Sequence, residues 1–254
     1  MLAIERKNEI LRKLRAEQRV LVSELALYYN VTEETIRRDL DKLEKDGYAT
    51  KTYGGAILGN STKTDLSYTI RNKTNVEAKT VIASLAAKLV EDGDHIMLDD
   101  SSTSLYVAKK LKEKKGLTVI TNSVELVAEL ANVDGWTLLL TGGRLKPESL
   151  ALVGSQTQQM LRQYHVDKVL MSCKGIDMEA GLTDSSEFHS DTKRSMIGAA
   201  RQRILILDSS KFDKISFVTI SHFDAIDTVV TNAQPRREWM RFFEENEIEC
   251  IYPR

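Results

Sequence analysis

The sequence predicts an α/β protein of two domains: a small N-terminal domain of helices with a β-hairpin, and a larger C-terminal domain with a mostly parallel sheet. Its 254 residues exceed the roughly 100–200 residues of one typical domain. Three short helical patterns and an alternating segment fill residues 1–58, whereas apolar runs alternate with helical patterns throughout residues 76–254. Residues 59–75 are polar and weakly periodic, and they form the predicted linker.

The composition is that of a folded protein without a metal centre. Hydrophobic residues make up 42% and charged residues 29%, with a net charge of -1. The two cysteines, Cys173 and Cys250, have no partner at metal-ligand spacing, so neither a metal nor another cofactor is expected. The polar N-terminus and the lack of a long apolar run predict a cytoplasmic protein that does not associate with membranes.

The first two predicted helices are short. Residues 4–15 carry their apolar side chains on one face among five Lys and Arg residues, which predicts an amphipathic helix with a basic outer side that includes Arg6. Ser23 is the predicted N-cap of the second helix, and Asn30 can adopt the left-handed conformation that ends it.

The third predicted helix has the pattern of a recognition helix. Thr32 is its predicted N-cap, and Ile36, Leu40 and Leu43 recur at i, i+4 and i+7 to form a buried stripe. At 100° per residue, polar and cationic side chains lie opposite or beside this stripe, where a DNA major groove would be. The predicted DNA contacts on this helix are Thr32, Thr35, Arg37, Arg38 and Lys42.

A small hairpin follows the third helix. Gly47 is expected to end that helix, and residues 48–53 alternate before Gly54 and Gly55, as in the wing of a winged helix-turn-helix. Lys51, in this hairpin, is a further predicted DNA contact. The alternative is a structural cap or a protein-interaction module, in which Arg37 and Arg38 form only a solvated cationic face.

The N-terminal motif closely resembles the DNA-binding signature of DeoR-type bacterial regulators. The resemblance lies in residues 31–44, VTEETIRRDLDKLE, followed by Gly47-Tyr48 and by residues 53–56, YGGA. It implies double-stranded operator DNA as the partner, with Thr35, Arg37 and Arg38 contacting DNA and the hairpin contacting the backbone or the minor groove.

The C-terminal domain is predicted from its alternating elements. Apolar runs separated by helices indicate a mostly parallel sheet. The six predicted strands are residues 95–99, 117–121, 136–141, 168–172, 203–207 and 227–231. Helices are predicted at residues 81–90, near 105, at 124–131 and at 235–246, the last packing on its own sheet or serving an oligomer interface.

Small polar residues, glycines and lysines follow the predicted strands. Parallel strands bring these turns to one edge of the sheet, and open α/β sheets bind ligands at that edge. The same residue types are ordinary turn formers and N-caps, so each turn alone also has a structural interpretation. The predicted ligand-binding residues are Asp99, Ser101, Ser102, Thr103, Thr121, Asn122, Gly142, Gly143, Lys174, Gly175, Glu187 and Lys211.

The chemistry of this edge suits a phosphorylated sugar. The first turn leads into a helix, whose N-terminal N–H groups can hold a phosphate beside the hydroxyls of residues 101–103. Positive charge is expected from Lys211 and Lys174, and hydroxyl groups of a polyol are expected to bind Asp99, Asn122 and Glu187.

The C-terminal domain also resembles the sensor domain of DeoR-type regulators. The motifs that carry this resemblance include Leu98-Asp99, Thr121-Asn122, Gly142-Gly143, Lys174-Gly175-Ile176 and residues 208–212, DSSKF. The resemblance implies a fold related to sugar-phosphate isomerases, a phosphorylated sugar as inducer, and repression as the usual effect. We further expect a homodimer or homotetramer that presents paired recognition helices to operator half-sites.

Two positions depart from the family pattern. Ser101 stands where the family often has glycine, which would restrict the approach of the backbone to a ligand. His189 lies in a segment where many relatives carry a carboxylate. It either tunes the choice of ligand or lies on a helix surface, and we expect the latter.

The alternative function is a sugar-phosphate isomerase with an accessory helix-turn-helix. Such isomerases resemble one another in an acidic cluster after the fourth-strand region, where this chain has Ser172-Cys173-Lys174, so the general base is missing. Cys173 has no recognisable His or Asn partner and is predicted to be a small buried residue at a strand end. The sequence therefore favours a regulator over an enzyme.

Overall fold

The computed structural model describes residues 3–17, 19–45, 48–58 and 68–253 of the chain. These residues belong to two compact units, Met1–Ile70 and Arg71–Arg254. Gly47, the predicted end of the third helix, and most of the predicted linker lie outside the described residues. Within the described residues, no helix combines the length and the hydropathy that crossing a membrane requires.

Residues 3–58 of the N-terminal unit, as far as the structure describes them, form three helices and a three-stranded antiparallel sheet of order β1-β3-β2. Its elements are α1 (Ala3–Glu17), β1 (Arg19–Leu21), α2 (Val22–Tyr29), α3 (Glu33–Lys45), β2 (Ala49–Thr52) and β3 (Gly55–Leu58). The predicted stripe of Ile36, Leu40 and Leu43 is confirmed, since all three side chains are buried in the core of this unit with Ile10 and Leu14 of α1. The hairpin β2–β3 has the position that the sequence predicts for the wing.

The start of the second helix differs from the prediction. Leu21 is the N-cap and α2 begins at Val22, so Ser23 lies in the first turn and does not cap the helix. The cause is β1, which pairs with β3 and carries the chain directly into α2, where the Val22 N–H donates to the Gly54 carbonyl at 2.9 Å. Asn30 ends α2 in the left-handed conformation, as predicted, with φ of 52°.

Close packing of β1 and β3 requires a glycine in the hairpin. A Cβ atom at Gly55 would lie 2.1 Å from the Val20 carbonyl oxygen of β1. Real Cβ atoms do not approach a backbone oxygen so closely. The second glycine of the Gly54-Gly55 pair is therefore needed for contact between strands.

The C-terminal unit is built on a seven-stranded sheet of order β15-β14-β12-β9-β4-β5-β6, in which every neighbouring pair is parallel. Its strands are β4 (His95–Leu98), β5 (Thr118–Thr121), β6 (Thr137–Leu140), β9 (Val166–Met171), β12 (Ala200–Ile206), β14 (Thr228–Val230) and β15 (Glu249–Ile251). All six predicted strands are confirmed. The seventh, β15, is a three-residue edge strand that periodicity did not reveal.

Helices cover the main sheet and connect its strands. They are α5 (Val76–Ala86), α6 (Ser102–Leu111), α7 (Val124–Leu130), α8 (Ser155–Leu161), α9 (Glu187–Ala199) and α10 (Arg237–Glu245), with 3-10 turns at Ala87–Leu89, Ser209–Lys211 and Phe223–Ala225. The short helix α4 (Tyr68–Asn72) spans the boundary between the two units. The predicted helix at 81–90 is misplaced, because α5 begins at Val76 and ends at Ala86. The predicted helix near residue 105 begins earlier, at Ser102.

Two small antiparallel sheets were not predicted. One is the hairpin β7 (Arg144–Lys146) with β8 (Ala151–Val153), and the other has the order β10-β11-β13, with β10 (Gly175–Asp177), β11 (Gly181–Asp184) and β13 (Val218–Ser221). The second sheet extends the segments that follow β9 and β12, and it forms one side of the predicted ligand edge.

The C-terminal helix α10 packs on its own unit. Trp239 and Phe243 are fully buried, and both form edge-to-face ring pairs with Phe212 and Phe223. The rings of Trp239 and Phe243 also contact each other in a tilted arrangement. This confirms intramolecular packing as the use of the aromatic residues.

Candidate functional site

The predicted recognition helix α3 separates an apolar face from a polar face, as predicted. Arg37, Arg38 and Lys42 are exposed, and Thr35 is half-buried. Thr32 is confirmed as the N-cap, because its hydroxyl oxygen accepts a hydrogen bond from the Thr35 N–H at 3.3 Å. The hydroxyl groups of Thr32 and Thr35 also lie 2.9 Å apart.

Both arginines of the helix form exposed ion pairs with glutamates one turn earlier. The distance is 3.1 Å from Arg37 Nη2 to Glu33 and 3.5 Å from Arg38 Nε to Glu34. Exposed pairs of this kind contribute only about 0.3–0.5 kcal/mol each. The guanidinium groups can therefore leave the glutamates for a phosphate or a base edge at small cost.

The predicted basic face of α1 requires a correction. Arg6 is buried, and its Nε lies 2.6 Å from Oδ2 of Asp39, which is also buried on the inner side of α3. A buried arginine needs a carboxylate partner, because an unpaired buried charge is strongly destabilising. Arg6 therefore joins α1 to α3 instead of contributing to an outer basic surface.

The predicted wing, the β2–β3 hairpin, is held against α3 by Lys51. Its ammonium group pairs with Asp41, and its N–H donates to Oε1 of Glu44 at 2.8 Å, both on α3. Tyr53 is fully exposed at the turn of the hairpin. The structure thus gives the predicted DNA contact Lys51 a second use within the unit, orienting the wing.

The predicted ligand edge lies at the carboxyl ends of the main-sheet strands. Asp99, directly after β4, is fully buried and is the centre of a hydrogen-bond network. Its carboxylate accepts hydrogen bonds from the Ser101 N–H at 3.3 Å, the Ser104 hydroxyl at 2.5 Å and the Ser172 N–H at 3.1 Å. Asp99 therefore ties the turns after β4 and β9 together.

The turn after β4 leads into the N-terminus of α6. Ser101 is the N-cap, with its hydroxyl oxygen accepting the Ser104 N–H at 3.0 Å, and Ser102 and Thr103 are buried in the first helical turn. The φ of Ser101 is −73°, which any residue adopts. A glycine is consequently not needed at this position for backbone conformation.

Three turns of the edge contain buried polar atoms that have no hydrogen-bond partner among the described residues. They are Oδ1 of Asn122, after β5, the hydroxyl of Thr141, after β6, and the hydroxyl of Thr231, after β14. The amide nitrogen of Asn122 donates to the Leu152 carbonyl at 3.1 Å. Buried polar atoms are nearly always paired in proteins, so these atoms are available to a bound water or a ligand. Thr141 was not among the predicted residues.

Several other predicted residues serve local structure. The Thr121 hydroxyl accepts the Ser123 N–H at 3.1 Å, and the Gly142 carbonyl accepts the Thr157 hydroxyl at 2.6 Å beside Gly143. A Cβ atom at Gly175 would lie 2.3 Å from the Lys214 carbonyl oxygen. Gly175 therefore admits the 212–218 loop to the start of β10.

Five buried ionisable groups lie together behind the edge. Lys193 Nζ is 2.5 Å from Asp184 and 3.4 Å from Asp99, while His189 Nδ1 is 3.4 Å from Asp100. Burial alone would lower the pKa of Lys193, but the carboxylates of Asp184 and Asp99 outweigh it and raise that pKa. The ion pairs thus keep Lys193 charged inside the unit.

The expectation for His189 was wrong. His189 is buried and faces Asp100 at the ligand edge, whereas the sequence suggested a helix surface. The pairing joins α9 to the turn after β4, two elements far apart in the chain. The helical periodicity of α9 did not predict that His189 is buried, because polar residues interrupt the apolar face of this helix.

Predicted charged residues lie at the margin of the edge. Lys174 is half-buried, with its N–H donating to the Thr183 carbonyl, and Glu187 is exposed at the first residue of α9. Lys211 is half-buried at the end of the turn that Asp208 caps through the Ser210 N–H at 2.9 Å.

A buried lysine was missed. Lys79 lies on the inner face of α5, three and four residues before the buried Ile82 and Ala83, so the periodicity marks it. Its ammonium group donates to the Thr74 carbonyl at 2.6 Å and to the Arg71 carbonyl. Burial lowers the pKa of Lys79 to about 8.

Comparison with known families identifies both units. Residues 6–62 match the family model of the DeoR-like helix-turn-helix domain, and residues 74–233 match that of the DeoR C-terminal sensor domain. The chain belongs to the DeoR family. It is a DNA-binding transcriptional regulator, as its relatives are, and not an enzyme.

Two DeoR-family relatives resemble the whole chain. The transcriptional repressor GlcR of Bacillus subtilis is 37% identical over 247 residues, covering 97% of this chain and 95% of the relative. The L-fucose operon activator of Haemophilus influenzae is 31% identical over 246 residues, covering 97% and 98%. The family resemblance from the sequence is confirmed.

The likeness to isomerases concerns the fold alone. Ribose 5-phosphate isomerase A from Methanocaldococcus jannaschii is 19% identical, with 55% of each chain covered and a TM-score of 0.40, which carries no argument about activity. Cys173 is confirmed as a buried residue, and burial raises the pKa of its thiol to about 12. The isomerase alternative is not retained.

We predict that the His189–Asp100 pair makes a pH-dependent contribution to the stability of this DeoR-family regulator. Burial acts to lower the pKa of His189, but Asp100 outweighs it, so the pKa is raised. The pair therefore stabilises the fold below the unfolded pKa of about 6.5, and this contribution is lost as pH rises through the folded pKa.

We expect His189→Gln to cost more unfolding free energy at about pH 5.5 than at about pH 8.5, measured by urea denaturation. The control is His95→Gln, because His95 also pairs with a carboxylate but is 60% exposed. A cost for His189→Gln that is the same at both pH values would contradict the prediction.

Proposed function

We propose that this DeoR-family regulator represses carbohydrate-metabolism genes in the cytoplasm and that a phosphorylated sugar releases it from operator DNA. The observation that carries the proposal is the pair of buried, unpartnered atoms at the ligand edge, Asn122 Oδ1 and the Thr141 hydroxyl. Sugar hydroxyl groups both donate and accept hydrogen bonds, so they can satisfy an amide oxygen and a hydroxyl together.

The phosphate end of the effector is assigned to the N-terminus of α6 and the lysine at its margin. The first N–H groups of a helix have no intrahelical acceptor, and the helix dipole favours an anion there. Ser102 and Thr103 add hydroxyl donors in this first turn, and Lys211 supplies a cation. The sugar would then extend toward Asn122 and Thr141.

The DNA-binding part of the proposal rests on α3. Thr35, Arg37, Arg38 and Lys42 would enter the major groove, and the wing with Lys51 would contact the backbone. A homodimer or homotetramer would present two recognition helices to paired half-sites. The effector weakens DNA binding only if it binds the DNA-incompetent arrangement better, and DNA must weaken effector binding by the same factor.

The test is operator affinity at a fixed, stated salt concentration, with and without a panel of pentose and hexose phosphates. The DNA is the promoter region next to the gene of this protein. Specific binding that one sugar phosphate weakens would support the proposal. Specific binding that no sugar phosphate changes would contradict the assigned effector class.

Lys211→Ala is expected to weaken binding of the sugar phosphate about tenfold, since a charge-assisted hydrogen bond is worth about 1.5 kcal/mol. Isothermal titration calorimetry measures this effect. Lys214→Ala is the control, because Lys214 is an exposed lysine three residues farther along the same loop. Equal affinities of the two variants would remove Lys211 from the site.

A further inference from the structure

The first residues of the sensor unit, 71–75, follow directly on the boundary between the two compact units. We call residues 71–75 the junction segment. Side chains from α5 and α6 hold its backbone: Lys79 donates to the Thr74 and Arg71 carbonyls, and the Tyr106 hydroxyl donates to the Asn72 carbonyl at 3.2 Å. The segment is thus fixed by the elements that flank the ligand edge.

The last residue of the junction segment is bonded to the turn that carries Lys211. Asn75 Nδ2 donates to Oδ1 of Asp208 at 3.2 Å, and the same oxygen accepts the Ser210 N–H at 2.9 Å. Asp208 is the N-cap of the Ser209–Lys211 turn. If the Ser209–Lys211 turn moves, Asp208 moves with it, and the hydrogen bond from Asn75 to Asp208 changes.

The charges around the segment also belong to the ligand edge. Lys79 is buried near Asp208, Lys211 and Arg71, whose charges all act on it, and Arg71 acts in turn on Asp100. Lys79 and Asp208 are buried, so their Coulomb interactions are less screened than those of surface charges. An anion bound at Lys211 would alter the balance that holds Lys79 against the backbone of the junction segment.

We infer that the junction segment transmits effector occupancy to the DNA-binding unit, with Tyr106 and Asn75 as positioning residues. This inference rests on the proposed function. An anion that recruits Lys211 pulls on the Asp208 turn, changes the bond to Asn75, and so selects a different arrangement of residues 71–75. Residues 71–75 lead into the DNA-binding unit. The effector therefore binds the two arrangements of the junction segment with different affinities, and this difference is what coupling to DNA binding requires.

Two mild substitutions test the inference in the full-length chain. Tyr106→Phe removes only the hydroxyl that bonds the Asn72 carbonyl. Asn75→Gly removes the side-chain amide and suits the left-handed φ of 51° at this position. Tyr164→Phe is the control, since Tyr164 is a half-buried tyrosine just before β9, at the opposite end of the sheet strands.

The measured quantity is the coupling factor, the ratio of operator Kd values with and without saturating sugar phosphate. We expect Tyr106→Phe and Asn75→Gly to keep the operator Kd without effector and the effector Kd without operator within about twofold of wild type, while the coupling factor falls at least about threefold. Coupling that persists within about twofold in both variants, or that falls equally in Tyr164→Phe, would overturn the inference.

A second measurement separates this inference from the proposed function. If no sugar phosphate changes operator binding of the wild type, the proposed function fails, and amide hydrogen exchange with and without operator DNA then decides the inference. Operator-dependent exchange at residues 72–80 in the wild type, reduced in Tyr106→Phe, would support the inference, whereas exchange that operator DNA leaves unchanged would overturn it.

Discussion

The Arg38→Ala variant is expected to bind operator DNA about 10- to 100-fold more weakly than wild type, because an arginine contact to a base edge is worth about 1–3 kcal/mol. Arg38 is suited to such a contact, since its side chain is 74% exposed on the outer face of α3 and pairs only loosely with Glu34, at 3.5 Å. Fluorescence anisotropy with a labelled operator at fixed salt measures the loss.

Arg241→Ala is the matched control for this measurement. Arg241, on α10, is 79% exposed and also forms an i,i+4 pair with a glutamate, Glu245, which lies one turn later in its helix. Both variants lose one positive charge and one exposed ion pair, so only the position relative to DNA differs. Equal operator affinities of the two variants would show that α3 is not the recognition helix.

Replacing Lys193 by methionine is expected to lower the unfolding free energy of the sensor unit by about 3–5 kcal/mol, because it leaves buried carboxylates without their partner. Lys193 is the cation that Asp184 and Asp99 share, at 2.5 and 3.4 Å. Urea denaturation followed by tryptophan fluorescence reports on this unit, since Trp136 and Trp239 both lie in it.

The control for this variant is Lys168→Met. Lys168 also pairs with a carboxylate, Asp94, at 2.6 Å, but the side chains of this pair are 14% and 12% exposed, against 7% and 1% for Lys193 and Asp184. Water can therefore reach the carboxylate that remains. If Lys168→Met cost as much as Lys193→Met, uncompensated buried charge would not be the cause.

Much of the fold was predictable because the relevant signals are local. The i, i+4, i+7 spacing of Ile36, Leu40 and Leu43 fixes the buried face of α3, and continuous apolar runs mark the strands of a sheet that is covered on both faces. The strands β1 and β15 escaped prediction because three residues are too few to display a period. Their pairing depends on partners elsewhere in the chain.

The site was less predictable because its contacts are long-range. The polar residues that follow the strands predicted a ligand site at the carboxyl ends of the sheet, and Asn122 was selected for this reason. The pairs Arg6–Asp39 and His189–Asp100 join residues of different elements, so no spacing in the sequence predicts them. Lys79 is the exception, since a lysine on an apolar helix face is visible in the sequence itself.

The strand order of the main sheet also means that the ribosome makes the two sides of the sheet one after the other. β4, β5 and β6 are made first and lie side by side, whereas β9, β12, β14 and β15 are made later and form the other side. The two sides of the sheet meet at the β4–β9 pair. A chain on the ribosome that ends before β9 therefore carries β4 as an open edge, with a row of unpaired N–H and C=O groups. That interval of translation is when the nascent protein is open to misassembly with a neighbouring chain.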